Sequence, residues 1–471
     1  MKKKVIAVLL ATAMCASLFA ACGAKKEEAA PAAESTSAAA EETTEEAAEE
    51  TTEEAAAPAD GEKIENYHDW LVEHNDNLSL SGIQASVQED RADVYKALDK
   101  VEKKDDVTIG WAGASLGSTF FTAWMDYSHA LAEKYGYKMV ESNCQFDTEK
   151  QNTQIDSFIQ QGVDVIMLNA VDVPSQATKI QDCIDAGIPV VVATNTFGTT
   201  KDPFITNIIS SANENGFLAG EYACEQLYDG KTPVKVGMTV SDLSNGDSNS
   251  RMCGFISGFV MKSSEIQGKP ITDKYEAIYY GFNIWQELKN SGSYDASAEW
   301  GLDIVGYGKG GGTDAASGQT AASDLLTAHP DMDVIAIEED SQAGGVIAEC
   351  KQHDLVPGED IKLACCADGT ISVCDMIKDG SVMCSSINSP EYYANAIFQV
   401  LNVLFGKEEN PDLDLNNLIP NQNLPTELIT PENVDDYYVE GADFAPVKAE
   451  SVLYTVPQWN EKNAAEAAAA E

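Results

Sequence analysis

Basic residues are scarce in this chain: 30 lysines and arginines stand against 77 aspartates and glutamates, a formal net charge of −47 over 471 residues. With no lysine or arginine stripe to neutralise phosphates, nucleic acid is excluded as a partner. Adsorption to anionic lipid headgroups is disfavoured for the same reason. Histidine is scarcer still, and His68, His74, His129, His329 and His353 are scattered without metal-ligand spacing. A disulfide framework is also missing. Of 11 cysteines, Cys15 and Cys22 fall near the amino terminus, and the odd set of nine left in the body sits mostly inside apolar strands and helices. Hydrophobic content of 44% and aromatic content of 8% are those of a globular protein, and the length allows more than one cored domain.

What is present begins with Lys2, Lys3 and Lys4, an apolar run from Val5 to Ala20, and the small residues Ala21, Cys22 and Gly23. A basic start, a short apolar core and small residues make a secretory signal. The run is shorter than the about 20 residues a transmembrane helix needs. The segment Leu18, Phe19, Ala20, Ala21, Cys22 resembles the lipobox of bacterial lipoproteins, with Phe19 bulkier than the usual leucine. That resemblance implies a signal peptide over residues 1–21, lipid on the Cys22 sulfur and anchoring without spanning. Residues 22–61 are an Ala/Glu/Thr-rich acidic stretch with too few large apolar groups to offset the entropy of ordering, so a disordered, self-repelling tether is expected. Residues 62–105 regain Tyr67, Trp70 and Leu71, and Val94, Leu98 and Val101 fit one helical face; a helical extension packed on the body is expected.

The body opens with VTIGWAGASLGSTFF from Val107 to Phe121: a buried strand, a loop of small residues and a helix start. The same grammar repeats through VDVIMLN, IPVVVAT, VKVGMTV, LDIVGYG, DVIAIEE, IKLACCA and SVMCSSI, with helices between. Nearly continuous apolar strands signal a parallel sheet covered on both faces, and two successive series of βα units argue for an α/β protein of two lobes. Ligands of such sheets sit beyond the carboxyl ends of the strands. The residues there run through Ala114–Phe121, Asn169–Asp172, Thr194 and Asn195, Ser244–Arg251, Gly308–Thr313, Glu338–Asp340, Asp368 and Asn388. Hydroxyls, amides and carboxylates dominate, with one arginine and two aromatics, the chemistry that grips a polyhydroxyl solute.

From about Val107 to Pro446 the chain resembles the type I periplasmic sugar-binding proteins of bacterial ABC importers, the ribose- and galactose-binding family. The resemblance rests on the paired Phe120 and Phe121, on Arg251 three residues ahead of Gly254 and Phe255, and on LLTAHPD at Leu325–Asp331. It rests too on Asp368, Gly369 and Thr370 after a strand, and on Asn388 two residues before Pro390. It implies two Rossmann-like lobes with parallel sheets, a three-strand hinge crossing near residues 212, 388 and 422, and a ligand cleft between the lobes. The N-terminal lobe would be 106–212 plus 389–421, the C-terminal lobe 213–388 plus 422–446, and 447–471 a tail. The implied ligand residues are Ser118, Phe120, Phe121, Thr194, Asn195, Arg251, Thr313, Glu339, Asp368 and Asn388. The implied partners are a small molecule, most simply a sugar, and an ABC permease with its ATPase, the protein acting as a monomer held to the membrane by lipid alone. A ligand-sensing receptor subunit that signals to a kinase or chemoreceptor is the alternative.

Three departures matter. Thr194 and Asn195 stand where the family often has an aspartate, Glu339 and Asp340 where it has Asn-Asp, and residues 262–302 read as an insertion carrying Tyr275, Tyr279, Tyr280, Phe282, Trp285 and Trp300. These favour a modified or larger ligand. Catalysis and cofactors are not expected. Gly306, Gly308 and Gly311 have the spacing of a dinucleotide loop, but an exported lipoprotein has no obvious nicotinamide supply. Gly230, Lys231 and Thr232 lack the earlier phosphate-loop glycine, since Glu225 stands there. Asp412, Asp414 and Asn416 lack the glycine and glutamate of a calcium loop.

Overall fold

The computed structural model describes residues 64–75, 80–84, 98, 101–171, 173–193, 203–408, 410, 413–446, 448 and 453–470. The signal segment with Cys22, the tether, Val94, Thr194 and Asn195 lie outside the described residues.

In chain order the elements are α1 (Tyr67–Glu73), β1 (Thr108–Gly113), α2 (Thr119–Tyr135), β2 (Lys138–Asn143), α3 (Thr148–Gln161), β3 (Val165–Leu168), α4 (Val173–Asp185), β4 (Val190–Ala193) and β5 (Asn207–Ile209). Next come α5 (Ala212–Leu227), β6 (Val234–Val240), α6 (Gly246–Ile266), α7 (Lys274–Ser291), β7 (Tyr294–Ala296), α8 (Ser297–Trp300), β8 (Leu302–Lys309) and α9 (Ala315–Ala328). β9 (Val334–Ile337), α10 (Asp340–Gln352), β10 (Lys362–Cys365), α11 (Ile371–Asp379), β11 (Cys384–Ser386), α12 (Pro390–Leu404), β12 (Asn421–Asn423), β13 (Leu428–Ile429) and α13 (Val456–Ala470) follow.

The apolar runs become central strands. β3 and β4 are buried at every residue, as β-branched stretches covered on both faces must be. The first sheet has the order β12-β5-β4-β3-β1-β2 and the second β13-β11-β10-β9-β6-β8-β7. All pairs are parallel except those of the edge strands β13 and β7. The chain leaves the first sheet after β5, returns from the second after β11, and crosses again between β12 and β13. Helix limits follow local chemistry. Ser118 Oγ accepts from Phe121 N at 3.3 Å to start α2, Asp147 Oδ1 accepts from Lys150 N at 2.9 Å to start α3, and Gly136 and Gly162 end these helices in the left-handed region.

One seam fixes the second lobe. α5 and α6 cross on Gly216, Gly220, Gly254 and Gly258. A methyl on Gly216 would lie 1.8 Å from the Arg251 carbonyl oxygen, and one on Gly254 1.9 Å from that of Asn213. Only hydrogen fits, so the two backbones touch and Arg251 is carried on a helix that cannot shift.

The insertion forms α7 and β7, and its aromatics pack rather than project as a group. Phe282 and Trp285 are buried, Trp285 Nε1 donates to Asn249 Oδ1 at 3.1 Å, and Tyr279 meets Trp70 of α1 with ring centroids 4.7 Å apart. Of the helical face expected at Val94, Leu98 and Val101, Val94 lies outside the described residues; Leu98 and Val101 pack on the core, and residues 101–104 are irregular. The nine body cysteines are buried free thiols, and Cys365 and Cys366 enter different core clusters as neighbours on a strand should. Among the described residues no helix is long and apolar enough to cross a membrane.

Gly254→Ala is expected to force α5 and α6 apart. Overpacking of this kind costs about 1–3 kcal/mol, so the melting temperature should fall by roughly 3–10 °C. Gly344→Ala in α10, where a methyl meets nothing within 4 Å, is the control and should not lose stability.

Candidate functional site

The carboxyl ends of the first sheet present an aromatic wall. Phe120 and Phe121 open α2 with ring centroids 5.8 Å apart; Phe120 also meets Tyr393 of α12 at 5.7 Å and Phe444 at 6.0 Å. Beyond Phe121, at 6.2 Å, stands Phe146, which is 62% exposed. Gln145 and Phe146 both hold positive φ, 61° and 60°, a conformation costing a non-glycine residue on the order of 1 kcal/mol. Hydrogen bonds hold the turn: Phe146 N donates to Ala114 O at 2.8 Å and Gln145 N to Asn143 Oδ1 at 3.0 Å. The strand ends behind the wall are stapled by amides. Asn169 Oδ1 accepts from Ala114 N at 3.1 Å while its Nδ2 donates to Ala193 O at 2.9 Å, and Gln151 Nε2 donates to the carbonyls of Ala112 and Asn169 at 3.1 and 2.8 Å.

The second sheet presents charge. Arg251, in the second turn of α6, is 2% exposed. Its Nη1 donates to Glu339 Oε2 at 3.3 Å and its Nη2 to Asp368 Oδ1 at 3.4 Å, while the buried Nε has no hydrogen-bond partner among the described residues. Asn388, at the second crossing, donates from Nδ2 to the same Asp368 oxygen at 3.1 Å. Two neighbouring carboxylates are occupied with structure. Glu338 accepts from Ser241 Oγ at 2.9 Å, Ser248 Oγ at 2.6 Å and the Ser241 N–H, and Asp340 accepts from Thr370 N at 2.6 Å and Ser385 Oγ at 2.7 Å. Burial opposes the charge on Arg251, but Asp247, Asp368 and Glu339 more than offset it and the guanidinium stays protonated. Burial, with the Asp368 charge adding to it, pushes Glu339 from the ordinary 4.5 up to about 8. Burial likewise lifts Asp368 to about 6, against the pull of Arg251.

The structure therefore gathers Arg251, Glu339, Asp368 and Asn388 into one network. Phe120 and Phe121 stand in the aromatic wall, and Ser118 is the cap of their helix. Thr313 meets the network through Ser341, whose hydroxyl lies within hydrogen-bond reach of the Thr313 carbonyl and, at 2.8 Å, of Glu339 Oε1, its one proton serving either acceptor. Sequence reasoning missed Tyr393 of α12, a buried ring against Phe120 and Trp124, whose hydroxyl pKa is raised by burial and by the charges of Asp247 and Asp368 against the pull of Arg251. It missed Phe146 as well, although a bulky aromatic following a strand end in Asn143–Asp147 was a usable signal. No nucleophile-elbow pattern was expected, yet residues 113–117, Gly-Ala-Ser-Leu-Gly, do carry its spacing between β1 and α2. Ser115 Oγ accepts from Gly117 N at 2.9 Å, so its hydroxyl oxygen shapes the turn before α2. Of the dinucleotide-like glycines Gly308 has a packing reason, since a methyl there would lie 1.8 Å from Ala321 O of α9, and Gly311 a conformational one, its φ being +72°. Asp314 caps α9, its Oδ1 accepting from Ser317 N at 2.8 Å, and puts a carboxylate where a pyrophosphate would bind. A separate pocket of about 320 Å³ beside Lys104, Ile159, Asp164, Ile188 and Phe405 lies at the amino ends of β3 and β4, away from this network.

The sequence profile of the periplasmic binding protein domain matches residues 109–409. Among curated proteins, the ribose import binding protein RbsB of Bacillus subtilis (strain 168) is 24% identical over 306 residues, 65% of this chain and 84% of that protein. Among solved structures, a galactofuranose binding protein superposes with a TM-score of 0.54 at 19% identity, covering 70% of this chain and 96% of that one. A Mycobacterium smegmatis protein in complex with beta-D-fucofuranose superposes at 0.55 and 21%, covering 77% and 98%. The chain belongs to the periplasmic binding protein domain family, and its fold is that of the type I members. The ribose import relative and the two structural neighbours are binding proteins, and the chain is a binding protein rather than an enzyme.

A carboxyl whose folded pKa is raised stabilises the fold fully below its unfolded value, and that stabilisation is lost as pH climbs through the folded value. The ligand-free protein should therefore lose melting temperature between pH 4.5 and about 8. Glu339→Gln should flatten this slope in a pH series of thermal melts; an unchanged slope would show that Glu339 is ionised throughout.

Proposed function

We propose that the protein is the lipid-anchored capture component of an ABC importer, taking a sugar between its lobes and delivering it to a permease driven by an ATPase. The observation that carries this reading is the pairing of an aromatic wall on one lobe with the Arg251–Glu339–Asp368–Asn388 network on the other. Aromatic faces suit the C–H surface of a sugar ring, while the guanidinium, carboxylates and amide suit its hydroxyls. Arg251 Nε is a buried donor ready for a ligand oxygen, and both Glu339 and Asp368 retain acceptor lone pairs. The ribose import relative supports import over signalling. The furanose ligands named for the structural neighbours make a pentose or a furanose-ring hexose the first candidate. In this reading Phe120, Phe121, Arg251, Glu339, Asp368 and Asn388 touch the sugar, and Thr194 and Asn195 join them from the end of β4. Phe146 extends the aromatic wall toward solvent. Ligand contacts made only when both lobes engage favour the closed form, which the permease would recognise. Lipid on Cys22 would hold the monomer at the membrane.

Thermal shift and titration calorimetry against pentoses, hexoses in pyranose and furanose form, inositols, disaccharides, nucleosides and NAD(P) test this. A true ligand well above its Kd raises the melting point by several degrees. Arg251→Ala or Asp368→Asn should weaken binding by roughly 30-fold or more, since each leaves a buried charged partner unmatched. Phe146→Ala should cost about three- to ten-fold, the worth of one aromatic face. Silence from every sugar with a clear NAD(P) shift would overturn the proposal. Separately, Cys22→Ser should move the protein from the membrane fraction to the soluble one in fractionated cells.

A further inference from the structure

Residues 64–84 precede the matched domain, yet part of this stretch lies against the hinge. α1 and Leu80 belong to the second lobe: Leu71 and Leu80 are 0% exposed within its core, Trp70 packs on Tyr279 and Phe282, and Tyr67 Oη donates to Glu276 Oε1 at 3.3 Å. From there the chain reaches three other elements within four residues. Ser81 N donates to Ser250 Oγ of α6 at 3.0 Å, and Ser81 Oγ donates to Ser210 O, in the first crossing, at 3.0 Å. Asn423 Nδ2 of β12 donates to Gly82 O at 3.1 Å, and Gln84 Nε2 donates to Asn421 O of β12 at 2.8 Å. β12 is an edge strand of the first sheet.

We propose that residues 80–84 brace the hinge, tying the second lobe to the first across the crossings and setting the interlobe angle of the protein. Hinge closure rotates one lobe against the other about a few crossing residues. Hydrogen bonds fail beyond about 3.5 Å, so a rotation that separates Ser250 from Asn421 by about an ångström breaks one end of the brace or drags Leu80 from its core. The brace therefore favours the angle at which both ends are satisfied and limits how far the lobes swing. It also sits beside the ligand network, because Ser250 precedes Arg251. The effect holds whichever solute the lobes take, so its test needs no ligand.

Nitroxide labels on Gln160→Cys in α3 and Lys351→Cys in α10, both exposed and on different lobes, report the interlobe distance by pulsed electron resonance; the nine body cysteines are buried. The full chain should give one narrow distance distribution without ligand. Ser81→Ala combined with Gln84→Ala removes two of the ties and should shift the ratio of interlobe states by at least about five-fold, seen as a broadened or second peak. Asn423→Ala, which loosens the same brace from the first-lobe side, should reproduce the change and decides the matter if the double variant does not fold. An unchanged distribution in folded variants overturns the proposal. So does a lower melting temperature with no change in distance, which would mark residues 80–84 as packing alone.

Discussion

A single guanidinium, buried to 2% and shared between Glu339 and Asp368, is the interaction on which the second half of the site depends. A charge so deep is expensive unless it is paired, and the surrounding architecture supplies the pairing. The glycine seam between α5 and α6 leaves the Arg251 backbone no room to move. Glu338 and Asp340 are saturated by serine and threonine donors, so they fix the loops after β6, β9 and β10 instead of competing for the guanidinium. Glu339 and Asp368 are thereby left as the carboxylates that accept from it, with the charge of Asp247 acting beside them. Both contacts are long for charge-assisted bonds, which leaves the network able to tighten when a solute supplies further partners.

The two lobes contribute different physics to the same place. The first offers rings, Phe120, Phe121 and the projecting Phe146, and fixes them with helix capping and a hydrogen-bonded turn. The second offers charge on strand ends. Neither half encloses a solute alone: an aromatic wall without acceptors binds any apolar surface, and a charged floor without a cover keeps its water. In the proposed reading, selectivity for a polyhydroxyl ring would arise when both act on one molecule.

Much of this was legible in the sequence. Apolar runs such as VDVIMLN and VKVGMTV announce central parallel strands because burial on both faces removes polar alternation, and the residues after them mark the site because parallel sheets bind at those ends. Arg251, Asp368 and Asn388 follow from that rule alone. Phe146 did not, because it follows an edge strand whose residues are half exposed and lack an apolar run, and because left-handed geometry at a non-glycine residue leaves no mark in sequence periodicity. Tyr393 was hidden inside a helix whose partner face is set by the first lobe. The packing role of the insertion was not legible either, since aromatic content alone cannot tell a stacking platform from a packing surface.

The insertion and the amino-terminal extension form one packing unit. Tyr67, His68 and Trp70 have their ring partners on Tyr275, Tyr279 and Phe282. A helix of seven residues such as α1 is too short to persist on propensity in water, so its stability is that of the aromatic layer it completes. The layer in turn roots the following residues in the second lobe firmly enough for Ser81, Gly82 and Gln84 to reach the first. Removing the insertion would therefore loosen contacts at the hinge without touching a crossing strand. Two segments separated by about two hundred residues thus act on one joint, a coupling that only long-range packing reveals.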